Sequence, residues 1–325
     1  MDNIHNTLDI NVQLDDQINK ILNKRIDKKT KTTLVLSGGS MKGIAQIGAM
    51  HCLKKNNLLN DIKTIAATSV GSIIGLLYSI GYQPIELFQF MKLIDTNKLN
   101  GMNAKNLITK YGLDDGSRMI LILKKLLNAK GYDPDISFKN FYKRTKMNLI
   151  ITGSCINDKK IYYFSHTSYP DMKVLEAVRI SISIPIIFTP CIFEGKIFVD
   201  GGCIDNFPIQ LFSDMIDNVI GIHVTETRIN VHKIDFIEDY LKNTIQCLFE
   251  GLVHRETKLY NEHVVYIKCS PPTNKSENSK SENFKSENSR SENTESDYSE
   301  ADIIELFDNG YVTTQNKISA GEFEF

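Results

Sequence analysis

Residues 32–56 read TTLVLSGGSMKGIAQIGAMHCLKKN: a compact apolar run, a glycine-rich turn at GGSMKG, then a helix-compatible stretch. The same grammar returns in residues 61–81, DIKTIAATSVGSIIGLLYSIG, where a short strand enters a tight turn at Ser69 and a helix follows. A repeated strand-turn-helix order predicts a mainly parallel central sheet covered by helices on both faces, a three-layer α/β architecture.

Outward from this pair, further strands are expected over residues 147–155, 160–164, 196–200 and 219–224, the first two as a hairpin in NLIITGSCINDKKIYYFS. Ile234, Ile237, Leu241, Ile245, Leu248 and Leu252 recur at helical steps and predict a long helix to about Arg255, followed by a strand from Val264. An amphipathic helix is expected within residues 11–25. Residues 271–300 hold a KSEN-like repeat, NKSENSKSENFKSENSRSENTES, with too little apolar surface to offset chain entropy. Ile303, Ile304, Phe307 and Tyr311 then share a helical face that needs a core to cover it. The chain is therefore expected to divide into a polar, helical segment over 1–30, an α/β core over 31–225, a helix and strand completing it over 226–270, a disordered insertion over 271–300, and a terminal helix and tail over 301–325.

Composition excludes several function classes. The 325 residues include 38 basic and 39 acidic ones, so no field favours nucleic acid, and any membrane contact must be local. The first 20 residues are polar and acidic, unlike a secretory signal, and the most apolar stretch, residues 69–82, is too short and glycine-broken to span a bilayer. The expectation is an intracellular protein, free in the cytoplasm or peripheral on membranes. Six cysteines are scattered without CxxC pairs and read as reduced thiols; seven histidines show no HExxH spacing. Neither a metal nor any other cofactor is expected.

Three short segments carry candidate chemistry. Ala67-Thr68-Ser69-Val70-Gly71 is GxSxG with its first glycine replaced, at a strand-to-helix bend whose small neighbours hold a serine hydroxyl clear. A plainer reading is that Thr68 or Ser69 only N-caps the helix. Gly38-Gly39-Ser40-Met41-Lys42-Gly43 would let backbone amides approach an anion or oxyanion at a helix N-terminus, unless it is a structural turn. It is not a Walker A loop, because Ile44 follows Gly43, and Ser40 breaks GxGxxG. A cation at Lys42 opposes the helix dipole and implies an anion nearby, unless its head simply leans into water. Asp200 ends the apolar strand KIFVD before Gly201 and Gly202; it is either a turn residue or a carboxylate base at the ligand-facing edge of the sheet.

In their order GGSMKG, ATSVG and DGG, these segments resemble the patatin-like phospholipase family over residues 32–211. AVRISISIPIIFTP and the ending NFP, with Asn206 and Pro208, add to the likeness. The resemblance implies a serine lipid acyl hydrolase, of the phospholipase A or lipase type, with a Ser69–Asp200 dyad and no histidine. Gly38 to Met41 would form the oxyanion loop, with Lys42 at its basic position, and the substrate would be a phospholipid or other acyl-lipid met at a membrane surface. Ser40 and Ala67 depart from the family's glycines, each adding a Cβ where the backbone needs unusual dihedrals. Three alternatives stand beside this reading: a triad using His223 with Glu226 as its orienting acid, a non-catalytic lipid- or anion-binding member of the fold, and an acyltransferase. ISISIPIIF could line an acyl pocket or simply pack the core.

Overall fold

The computed structural model describes residues 30–93, 104–227, 260–271 and 298–322, with isolated positions between 234 and 251. The expected N-terminal helix, the KSEN-like repeat and most of the expected helix over 234–255 lie outside the described residues.

The two opening units fold as their pattern requires. Strand β1 (Thr33–Leu36) runs through a 3-10 turn (Ser40–Lys42) into helix α1 (Gly43–Lys55). Strand β2 (Thr64–Ala67) turns at Ser69 into α2 (Val70–Ser79). Helices α3 (Pro84–Leu93) and α4 (Ala104–Lys110), strand β3 (Gly112–Asp114), and helices α5 (Ser117–Ala129) and α6 (Phe138–Thr145) follow. The hairpin β4 (Asn148–Cys155) and β5 (Lys160–Phe164) pairs antiparallel, Ile151 opposite Phe164. After α7 (Val174–Ser181) come the short strands β6 (Ile186–Phe188) and β7 (Cys191–Phe193), then β8 (Lys196–Asp200), β9 (Val219–Glu226), β10 (Val264–Cys269) and α8 (Glu300–Ser319).

The main sheet has the order β10-β9-β1-β2-β4-β8-β7, with β5 also on β4. The five strands from β10 to β4 are mutually parallel, so β1 and β2 end at one edge. Strand β8 joins antiparallel on the outer half of β4, placing Asp200 opposite Gly153. Its last residue thereby reaches the edge where β2, whose Ala67 pairs with Ile151, has just ended.

Alternate side chains divide between two apolar layers. Leu34, Leu36, Ile65, Ala67, Leu149 and Ile151 enter the larger one with α1, α2, α7 and α8. Val35, Ala66 and Val264 point the other way, onto Phe207 and onto Ile209 and Phe212 of the 3-10 helical segment Pro208–Asn218 that follows it. Strands buried on both faces read as continuous apolar runs, as they do here.

Helix α8 starts at a capping box in which Ser299 and Asp302 exchange side-chain-to-backbone bonds. It crosses α1 closely: a Cβ on Gly48 would stand 2.0 Å from the Phe307 carbonyl oxygen, and one on Gly310 would stand 1.9 Å from that of Ala45. This crossing corrects the expected apolar face. Ile303 and Phe307 are buried with Leu306 and Gly310, Tyr311 is half-buried, and Ile304 faces water.

Candidate active site

At the end of β2 the chain reverses within one residue. Ser69 takes φ 53 and ψ −126, a region that non-glycine residues occupy only when their surroundings enforce it. The enforcement is visible. Its N–H donates to the Ser181 hydroxyl at 2.9 Å, and its carbonyl accepts from Ser72 Oγ at 2.6 Å. Thr68 N–H donates to the Leu36 carbonyl, and Thr68 Oγ1, itself accepting from Thr152 Oγ1, donates to the Asp205 carbonyl. Gly71 has to be glycine, since a Cβ there would lie 2.7 Å from the Ser37 carbonyl oxygen. Val70 packs against the core from the first turn of α2. Although Ser69 precedes α2, its side chain makes no capping bond, so the plain capping role fails and the hydroxyl is left for other work.

Beside it lies the glycine loop. Gly38 N–H is spent on the Asn206 carbonyl and Lys42 N–H on that of Gly39, whereas the N–H groups of Gly39, Ser40 and Met41 meet no acceptor among the described residues. Lack of a side chain lets Gly38 approach the elbow: a Cβ on it would be 2.3 Å from Asn206 Oδ1 and 3.2 Å from Ser69 Cβ. Gly43 lies as close to Val70. The anion implied by Lys42 is Glu226, whose Oε2 is 3.0 Å from the ammonium. The two departures from glycine differ. Ser40 has φ 49, in the left-handed region, while Ala67 is a regular strand residue at negative φ.

Asp200 completes the group from β8. Its Oδ1 accepts the Gly202 N–H at 2.7 Å, and its own N–H donates to the Ser183 carbonyl at 2.9 Å. Gly201 lies hard against Thr152, whose Oγ1 would be 1.9 Å from a Cβ. Burial raises the carboxyl pKa to about 7, against the lowering effects of the Ser69 hydroxyl and the Gly202 N–H. Ser69 is thus within electrostatic reach of the carboxylate, although Asp200 Oδ2 has no hydrogen bond of full geometry among the described residues. Catalytic bonds are often long until substrate binds.

His223 is a fully buried core residue. Its ring stacks on Phe207 at 4.7 Å and meets Tyr266 edge-on, and neither nitrogen has a partner among the described residues. Burial lowers its pKa to about 4. It is a core ring, with no bond to Ser69 or to Glu226.

Ser69, Ser40 and Met41 also line an apolar cavity of about 240 Å³, walled by α1, α2, α3, α5 and the segment from Ile182 to Phe188. An apolar cavity of about 150 Å³ already holds benzene. Ile182, Ile184 and Ile187 from the ISISIPIIF run line it, whereas Ile180 is core.

The sequence pattern described as patatin-like phospholipase matches residues 34–213, more than half of the chain. The chain belongs to the patatin-like phospholipase family. A probable lipid hydrolase, 463L, of Invertebrate iridescent virus 6 is 31% identical over 247 residues, 75% of this chain and 80% of that one. An uncharacterized protein, R571, of Acanthamoeba polyphaga mimivirus is 35% identical over 203 residues, 61% of this chain and 67% of that one. Among solved structures, VipD from Legionella pneumophila superposes with a TM-score of 0.52 at 16% identity, covering 90% of this chain and 67% of that one, and shares the fold.

Within this family member, several supporting residues escaped the sequence reading. Arg179 donates to the Asp115 and Thr189 carbonyls and to Ser183 Oγ, fastening α7 to the β3–α5 corner and to the cavity wall. Ser181 holds the elbow. Asp205 accepts from Tyr163 Oη at 2.7 Å and from Phe207 N–H, fixing the bend that carries Asn206. The available signal was Arg179, Ser181 and Ser183 at alternate positions of an apolar run, since buried polar groups need partners. Among the described residues no cluster of three metal-ligating side chains forms, and no helix is long and apolar enough to cross a membrane.

Proposed function

We propose that the chain is a serine lipid acyl hydrolase that cleaves fatty-acyl esters through Ser69 and Asp200. One observation carries this reading: a strained serine lines an apolar cavity, within electrostatic reach of a buried carboxylate and beside uncommitted backbone amides.

In the proposed cycle the acyl chain enters the cavity, where burial of methylenes contributes about 0.8 kcal/mol each. Ser69 Oγ attacks the ester carbonyl carbon while its proton passes to the Asp200 carboxylate. The N–H groups of Gly39, Ser40 and Met41 hold the negative oxygen that develops. The tetrahedral centre collapses, the C–O bond to the alcohol breaks, and the proton on Asp200 goes to the departing oxygen. Water then attacks the acyl-serine, Asp200 again taking a proton and returning it to Ser69 as the fatty acid leaves. A carboxylate whose pKa is near 7 suits both directions of this transfer.

The test uses purified protein with a labelled phospholipid and with a neutral lipid ester, each with and without an acceptor alcohol. Release of fatty acid that disappears in Ser69→Ala and in Asp200→Asn is the expected result. Equal release by the variants rules out the dyad. New ester formed only with the acceptor points to acyl transfer, and lipid retained without turnover points to a binding protein.

A further inference from the structure

The wall that β3 and α5 give to the cavity also has an outer side. Met119, Ile122 and Leu123 of α5 and Asp114 of β3 face the cavity. On the other side Leu121 is 54% exposed, and just before β3 Tyr111 is 73% and Ile108 83% exposed. Backbone alternation explains the division in the strand, since Gly112 and Asp114 are buried while Tyr111 and Asp115 face water. In α5 the exposed Arg118, Leu121 and Lys125 follow one another at three- and four-residue steps.

The charge on this wall is one-sided. Residues 104–130 carry six Lys or Arg against two Asp, in a chain whose formal net charge is −1. Lys110, Arg118, Lys124 and Lys125 are all exposed. The end of α4 and the start of α5 are neighbours: the Asp115 carboxyl is held low by Ser117 first, and also by the charges of Lys110 and Arg179. Exposed large apolar side chains and cations therefore lie together on the outer sides of α4, β3 and α5, and the inner sides of β3 and α5 line the cavity.

That combination selects its occupant. Interfaces between proteins are depleted in Lys, whereas an anionic bilayer attracts Lys and Arg to its phosphates and takes aliphatic and tyrosine side chains into its headgroup layer. We propose that the outer face of α4, β3 and α5 docks on an anionic lipid surface and so brings the cavity to the bilayer, an inference that rests on the acyl-hydrolase reading for its purpose but not for its chemistry.

The binding test uses the full chain carrying Ser69→Ala, so that no lipid is consumed, with sedimentable vesicles of phosphatidylcholine alone or mixed with phosphatidylserine. The parent is expected to sediment with the mixed vesicles and to be released by salt. Lys124→Glu with Lys125→Glu should weaken partitioning by about tenfold or more, since each cation near such a surface contributes about fivefold. Ile108→Ser with Leu121→Ser should weaken it at every salt concentration. All four positions are exposed, so circular dichroism should show intact folding. No sedimentation of the parent, equal sedimentation of parent and variants, or equal binding to both vesicle types overturns the proposal. With Ser69 restored, the variants should keep turnover of a water-soluble ester while losing turnover of vesicle lipid. Vesicle binding by a chain that hydrolyses no ester leaves docking standing and removes the acyl-hydrolase reading instead.

Discussion

The Ser69 N–H donates to the Ser181 hydroxyl at 2.9 Å, so the elbow residue is fastened to the end of α7, 112 positions away in sequence. Both residues are buried, and the hydroxyl substitutes for the helical partner that the first N–H groups of α2 lack. In Ser181→Ala that N–H is orphaned, at a cost of about 1–3 kcal/mol. The urea midpoint should fall accordingly. Loss of the restraint on φ also moves Ser69 Oγ, so kcat on a soluble ester should drop by about tenfold to a hundredfold with KM nearly unchanged. A normal kcat in a destabilised variant assigns Ser181 to stability alone.

If Asp200 is the base proposed above, it ties activity to pH in one direction and stability in the other. Its pKa is raised from 3.8 to about 7, chiefly by burial, so the folded state binds the proton more tightly than the unfolded chain does. Its contribution to stability is therefore full below about pH 4 and is lost as pH rises toward 7. In the proposed mechanism, by contrast, Asp200 acts as base only when ionised. kcat/KM should rise through a midpoint near pH 7, and Asp200→Asn should abolish turnover while flattening the stability profile between pH 4 and 7. The measurements are a pH–rate profile and melting temperatures across the same range. Activity that is level from pH 5 to 9 contradicts the assignment.

His223 imposes the opposite slope. Burial lowers its pKa from 6.5 to about 4, so the folded state holds it neutral. Its share of stability is present above pH 6.5 and is lost as pH falls toward 4. His223→Phe keeps a ring between Phe207 and Tyr266 and removes two unpartnered buried nitrogens. The variant should gain about 1 kcal/mol at pH 7 and more at pH 5, with ester turnover unchanged. Loss of turnover in a well-folded variant would revive a histidine mechanism.

These effects show where the sequence was legible. The runs at Thr33–Leu36 and Thr64–Ala67 are buried on both sides, so apolar continuity followed by a glycine or serine turn identified them. Ser69 and Asp200, the proposed dyad, could be found because each stands where an apolar strand stops; β8 runs antiparallel, so its register on the outer half of β4, and not chain direction, brings Asp200 to the edge where β2 ends. Strands β3 and β6 have three residues each, too few for any period, and pair with each other across more than 70 positions. The cavity is assembled from α3, α5 and the segment after α7, so no local window contains it. Ser181 and Arg179 were obscured by the apolar residues around them. Ile304 stands three residues before Phe307 and seven before Tyr311, which puts it on their face by spacing, but Leu306 and Gly310 pack where the helices approach most closely and turn Ile304 to water.

The two departures from the family's glycines provide a last test, because the same substitution should act with opposite sign at each. Ser40 sits at φ 49, where a Cβ costs roughly 1–2 kcal/mol, so Ser40→Gly relieves more strain than the added chain entropy of glycine takes away. Its stability should rise by up to about 1 kcal/mol, with kcat maintained because the loop N–H groups keep their directions. Ala67 is fully buried in a regular strand, its Cβ packed in the larger apolar layer. Ala67→Gly should therefore lose about 1–2 kcal/mol from entropy and the missing methyl, without any gain in rate. Urea denaturation of both variants reads the signs directly. If Ala67→Gly were the stabilising change, the strain would lie in the elbow strand and the left-handed serine of the loop would be innocuous.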